Sequence, residues 1–353
     1  MPVLRGVLVV IGLFTAIIAD SVQAQTTTQS DFLYVCNQEG ASISVVDVGT
    51  LEVVKTIRLE ELGFSANAKP HHVAVEPDGS AWYVTLIGEN VVLKFNRANE
   101  VIGRATFETP GLLALSPSEN KLYVGRSMTA VNPPHRIGVI ERATMELEEI
   151  DVVFPRPHLL DIRPSGDFLY SASLAQNQLA AVEAATEEVE LITLEGPSHA
   201  LAHSALSPDG QTLVVTPHMP HLMVFDLSQP AQPKLTATID VGEMPWHPVY
   251  SRDGNTVYVP NQASNNLSVV DMRSRSVTST VKHEAFAEPY GSAISRDGRY
   301  VFISNSNTKG AWTAPGTTAV ERAGNVVVID TRTNDVAKVI AVGRGPTGIG
   351  TQR

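Results

Sequence analysis

Hydrophobic positions along this chain fall in short runs, each closed off by Gly, Asn, Asp or Pro, and the runs recur as a phrase. The phrase is a proline, a brief apolar run, a Ser-x-Asp-Gly turn and then an aromatic-Val pair. It begins at Pro70, Pro110, Pro157, Leu201, Pro245 and Pro289. Aligned on Glu76, Ser116, Arg163, Ser207, Ser251 and Ser295, successive copies are 40, 47, 44, 44 and 44 residues apart. That period is one four-stranded blade of a β-propeller.

Each copy predicts four strands, A to D. Strand A follows the proline and strand B carries the aromatic-Val pair. Strand C reads Val91–Asn96 in the first copy, with counterparts starting at Leu222, Leu267 and Asn325. Strand D is more polar, as from Lys234, which suits an outer edge in water. Asp-Gly pairs at 78, 209, 253 and 297 supply the positive-φ residue of the A-to-B hairpin, whereas the second copy has Ser118, Glu119 and Asn120 there. Two ends are left over. The segment from Phe32 matches strands B, C and D without an A, and the segment from Gly345 matches an A and stops. Joined, residues 31–59 and 345–353 make a seventh blade that closes the ring and removes its open edges. The fold class expected is all-β, a single seven-bladed propeller over residues 25–353.

Tyr34 to Asn37 and Tyr258 to Asn261, with Ser44 to Asp47 and Ser268 to Asp271, resemble YVTN-type propeller repeats. The resemblance covers nearly all of the chain after its first residues. It implies an architecture similar to the haem domain of cytochrome-type nitrite reductase, the propeller of nitrous oxide reductase, quinoprotein amine dehydrogenase heavy chains and propeller lactonases. Fold does not choose among their functions. The Gly-His and Trp-Asp signature of WD repeats is absent.

The N-terminus reads as an export signal: Arg5, an apolar run from Gly6 to Ala19, and Val22-Gln23-Ala24 as the cleavage pattern, so that the mature chain begins at Gln25. That run is shorter than the ~20 residues of a spanning helix. The expected location is therefore periplasmic or secreted, with no membrane span in the mature chain. A net charge of -11 opposes binding to nucleic acid. Cys36 is the only cysteine, so no internal disulfide forms, and it is expected to be a buried strand residue.

Candidate chemistry gathers on one face. D-to-A connections and B-to-C loops share an end of the propeller, and all ten histidines map there. His72, His203 and His247 hold one aligned slot, and His71 and His158 the slot beside it, next to the mouth of the central channel. Imidazoles converging from several blades predict a metal site, with copper or zinc favoured by nitrogen ligands without thiolates, or a haem held by an axial imidazole. No C-x-x-C-H occurs, which excludes covalent c-type haem. The His71-His72 pair is similar to the histidine-rich copper hub of nitrous oxide reductase, although the second, cysteine-rich copper domain of that family is missing here.

Arg126, Arg136 and Arg156 are candidates to hold an anionic ligand on this face. Glu89 is a candidate acid or base beside a histidine, as a lactonase-like site would require. An insertion from Ser306 to Gly324 is expected to arch over the same face, with Trp312 as an exposed aromatic for a ligand or partner. No Gly-x-Ser-x-Gly elbow, phosphate loop or His-Glu-x-x-His motif is present. Three functions follow: a binding propeller taking a small ligand, metal or protein partner on its histidine face; a copper- or haem-dependent redox enzyme or its accessory subunit; and a lactonase-like hydrolase.

Overall fold

The computed structural model describes residues 1–2, 31–316 and 322–352. All but the first two residues of the export signal read at 1–24 lie outside that range. Among the described residues no helix is long and apolar enough to cross a membrane.

Among the described residues, twenty-eight strands form seven four-stranded antiparallel sheets arranged as a ring. In blade 1 these are β4 (Pro70–Val75), β5 (Ala81–Leu86), β6 (Val91–Asn96) and β7 (Val101–Thr106). The innermost strands of blades 2, 3, 4 and 6 are β8 (Pro110–Leu115), β12 (Pro157–Ile162), β16 (Leu201–Leu206) and β24 (Pro289–Ile294). Blade 5 departs, because its inner strand β20 is only Val249–Tyr250, with one isolated bridge from Pro245 to Asn261. Pro248 lacks the N–H that a ladder would need there. Sheets bury both faces against neighbouring blades, so strands such as β5 are buried at every position, while outer strands such as β3 (Glu52–Arg58) are mostly exposed.

The two chain ends close the ring. The last strand, β28 (Pro346–Thr351), pairs antiparallel with β1 (Phe32–Asn37), with Tyr34 opposite Gly350 and Val35 opposite Ile349. Around this seam Gln38 N–H donates to the Gly345 carbonyl at 2.9 Å, and Phe32 N–H to Gln352 Oε1 at 2.9 Å. Gly348 lies so near the next blade that a Cβ there would meet the His71 carbonyl oxygen.

The A-to-B turns follow the expected chemistry. Gly79, Gly210, Gly254 and Gly298 have φ from 68° to 74°, and serine hydroxyls such as Ser207 and Ser251 donate to the turn aspartates. In blade 2 the Ser116 hydroxyl instead accepts from Glu119 N–H. Cys36 is buried, and burial raises its thiol pKa.

Candidate functional site

The seven inner strands start in one way. The residue before each, or in blade 5 before the bridging Pro245, is left-handed: Lys69, Thr109, Arg156, Ala200, Met244, Glu288 and Gly345 have φ between 45° and 60°. Six are not glycine, a conformation that costs about 1–2 kcal/mol each. A register shift follows at once in blades 1, 2, 3, 4 and 6, for example between Pro70 and Val73. Such bulges re-aim side chains beside sites. Aligned on this start, two consecutive residues per blade fall in matching slots: His71, Gly111, His158, Ala202, Trp246, Tyr290 and Thr347, then His72, Leu112, Leu159, His203, His247, Gly291 and Gly348.

Neighbouring blades pin this backbone. Thr216 Oγ1–H donates to the Trp246 carbonyl at 2.9 Å, Ser292 Oγ–H to the His247 carbonyl at 2.6 Å, and Thr347 Oγ1–H to the His71 carbonyl at 3.3 Å. The five predicted histidines meet. Ring centroids of His203 and His247 are 3.7 Å apart, those of His158 and His203 5.4 Å, and those of His72 and His247 5.7 Å. Trp246 stacks on Tyr290 at 4.5 Å, and His203 lies 4.8 Å from Trp246. His71 approaches Tyr290 edge-on at 6.3 Å.

Hydrogen bonds assign different roles to these rings. The Arg126 carbonyl can only accept, so the 2.7 Å contact to His158 Nδ1 makes that nitrogen the donor and leaves Nε2 a lone pair. His71 Nδ1 pairs with Gln38 Oε1 at 2.9 Å in the same sense. His72 differs, since its Nδ1 accepts from Leu113 N–H at 3.2 Å. The Nε2 atoms of His71, His158, His218 and His247, both ring nitrogens of His203, and Trp246 Nε1 are buried without a hydrogen-bond partner among the described residues. Burial holds the rings neutral: the pKa of His71 falls to about 3 and that of His158 to about 4, and His203 and His247 drop well below the usual imidazole range. Burial also lowers His218, with the Arg156 charge adding to it. Among the described residues no three His, Cys, Asp or Glu side chains are already grouped tightly enough to hold a metal ion.

The other histidines lie at the same end of the sheets: His135 before β10 (Arg136–Glu141), His199 before β16, His218 after β17 (Thr212–Pro217), His221 opening β18 (His221–Asp226), and His283 after β23 (Ser276–Val281). The remaining candidates are placed otherwise. Arg126 is buried, with its guanidinium donating to the Glu108 carbonyl at 2.8 Å and to Glu149 Oε1 at 2.5 Å, and lying 3.8 Å above the Phe107 ring. It is a clamp inside blade 2 rather than a ligand-holding side chain, and its carbonyl is what reaches the site. Arg136 is exposed, 3.8 Å from Glu149. Arg156 donates to the Met128 carbonyl at 2.8 Å, close enough to the cluster to depress His158 and His218. Glu89 is half-buried and its Oε1 accepts from Ser65 N–H and Oγ–H, which lowers its pKa; among the described residues no hydrogen bond or ion pair joins it to an imidazole.

Trp312 also departs from expectation. It is half-buried, because Asn307 bonds its N–H and carbonyl and its ring packs on the core that contains Phe286. Residues 317–321 of the insertion lie outside the described range. Trp246, Tyr290 and Gln38 are the site residues that a search by residue type passes over. Trp246 and Tyr290 were findable, since they stand in the slot of His71 and His158.

Several known proteins share this architecture. The model of the family described as lactonase, 7-bladed beta-propeller, matches residues 97–314. A functionally unknown protein from Desulfotomaculum acetoxidans is 16% identical with a TM-score of 0.74, covering 91% of this chain and 99% of that one. Hydrazine synthase of Kuenenia stuttgartiensis is 18% identical with a TM-score of 0.66, covering 86% and 93%. The dihydro-haem d1 dehydrogenase NirN, solved in complex with DHE, is 14% identical with a TM-score of 0.62, covering 90% and 74%. At these identities the likeness is one of fold. No curated protein matches in sequence. With the family model spanning well over half of the sequence and seven closed blades in the structure, the chain belongs to the seven-bladed β-propeller lactonase family.

Proposed function

We propose that this protein is an exported binding propeller that takes a small ligand at the channel mouth through imidazole lone pairs, and that the ligand is a late transition-metal ion, copper or zinc. The observation that carries the reading is the set of buried, neutral, partnerless ring nitrogens on His71, His158, His203 and His247. A buried polar atom without a partner costs roughly 1–3 kcal/mol, and a group of them around one opening is relieved by something that accepts electron pairs. Three features suit a metal. His158 and His71 are held at Nδ1 by a carbonyl and an amide oxygen, the outer contact typical of metal-binding histidines. The depressed pKa values also mean that protons do not compete for the nitrogens near neutral pH. His203 has no hydrogen bond at either nitrogen, so its ring can turn toward an ion without losing one.

Family membership favours a second reading, hydrolysis of a lactone or related ester. An imidazole whose pKa lies near 4 is a weak general base at neutral pH, and the only carboxylate candidate, Glu89, is held by Ser65. Binding therefore accounts for more of the site than hydrolysis does.

Equilibrium dialysis of protein purified from the exported fraction tests the proposal. One copper or zinc ion is expected per chain, with at least about a tenfold weaker affinity in His158→Ala and His203→Ala. Uptake unchanged in both variants would refute it. A Soret band in the same sample would point to haem instead, and turnover of a simple lactone that is lost in His158→Ala would favour the hydrolase.

A further inference from the structure

The A-to-B turns lie at the opposite end of the sheets from the imidazole cluster. Between blades 4 and 5, the A-to-B turns at Ser207–Gly210 and Ser251–Gly254 border a cavity of about 280 Å³, whose walls include Asp209, Asp253, Arg275, Val224, Met272 and Tyr250. Tyr250 is the one aromatic at its inner-strand position, which holds Val75, Leu115, Ile162, Leu206 and Ile294 in five other blades and Thr351, whose hydroxyl is likewise buried without a partner among the described residues, in the closing one. The Tyr250 side chain is buried, with the residue 5% exposed, and its hydroxyl has no hydrogen-bond partner among the described residues. By contrast, the hydroxyls of Tyr83, Tyr170 and Tyr258 donate to Glu76, the Pro230 carbonyl and Asn334. A buried phenol without a partner is a cost without a structural return.

The charges around it are fixed. Asp209 Oδ1 accepts from Ser207 Oγ–H at 2.5 Å and from Gln211 N–H at 3.0 Å, and Asp253 Oδ1 from Ser251 Oγ–H at 2.6 Å and from Asn255 N–H at 3.1 Å. These bonds hold both carboxyls below their usual pKa and so ionised. Against the two carboxylates stands one guanidinium, Arg275, which reaches the Thr236 carbonyl at 3.3 Å. The lining is therefore one negative charge in excess and mostly polar, with the buried Tyr250 side chain in its wall and Val224 and Met272 as its apolar part.

We propose that this cavity binds a small organic ammonium ion, its N–H groups accepted by the Tyr250 phenol and the Asp209 and Asp253 carboxylates and its alkyl part resting on Val224 and Met272. The site is distinct from the imidazole cluster and stands whether or not that cluster binds a metal.

Calorimetric titration of the full chain with n-butylamine, n-butanol and butyrate tests this. Butylammonium should bind at millimolar or better affinity, the alcohol and the acid at least about tenfold more weakly. Tyr250→Phe should weaken butylammonium by about tenfold, the loss of one hydrogen bond to a charged group. It should also raise the melting temperature of the free protein, because a partnerless buried hydroxyl is gone. Asp209→Asn should weaken binding similarly, and His158→Ala should leave it unchanged. Absence of butylammonium binding up to about 10 mM, equal binding of butanol or butyrate, or full affinity in Tyr250→Phe would each overturn the assignment.

Discussion

An imidazole that gives its Nδ1–H to a main-chain carbonyl keeps one electron pair, and at His158 that pair is buried and unused. The same burial makes the residue a sensor of pH in the unliganded protein. His158 and His71 titrate near about 4 and 3 when folded, against an ordinary 6.5. Because the folded values are the lower ones, the unfolded chain takes up these protons first. Their contribution to stability is complete above about pH 6.5 and falls as pH drops toward 4, by about 1.4 kcal/mol per pH unit for each imidazole. Urea midpoints recorded between pH 7 and pH 4 should show this slope, reduced by one imidazole's share in His158→Gln; a flat profile would show that the rings are not buried neutral. The imidazoles themselves were legible in the sequence because they repeat at one slot of the blade. Trp246 and Tyr290 share that slot but not that chemistry, so only alignment by position finds them. Trp312 and Arg126 show the reverse case, in which the residue type suggested a ligand contact while Asn307 and the Glu149–Phe107 pair decided the environment.

At the scale of elements, the inner strands act as seven equivalent supports for unequal side chains. Alternation and Asp-Gly turns made the strands readable in advance, and Pro248 explains the shortened strand of blade 5. The left-handed residue before each inner strand was not readable, because Lys69, Thr109, Ala200 and Met244 carry none of the usual Gly or Asn signature. Tertiary contacts impose that conformation. The closing strand is the most sensitive of these supports: a Cβ on Gly348 would lie 2.2 Å from the His71 carbonyl oxygen, which is backbone and cannot rotate away. Gly348→Ala is expected to cost about 1–3 kcal/mol by overpacking and to weaken metal uptake with it, since His71 must shift. Denaturation and dialysis on one preparation check both parts; wild-type stability in this variant would mean that the seam is looser than described.

For the whole molecule, a repeat near 44 residues and two complementary chain ends were enough to specify the ring, because an open sheet edge at either terminus would be left unpaired. Function is not encoded at that scale. The same fold is shared by proteins under 20% identical to this chain, so fold alone does not select a function.

The claim on which the rest depends is that His158 and His71 present free electron pairs at the channel mouth. Long-range hydrogen–nitrogen correlation spectra of nitrogen-labelled protein near neutral pH, taken before and after one equivalent of zinc, read those pairs directly. The account predicts an Nδ1–H tautomer at both residues in the free protein and displacement of both Nε2 resonances when zinc is added. An Nε2–H tautomer at His158, or Nε2 resonances that ignore the metal, would contradict it.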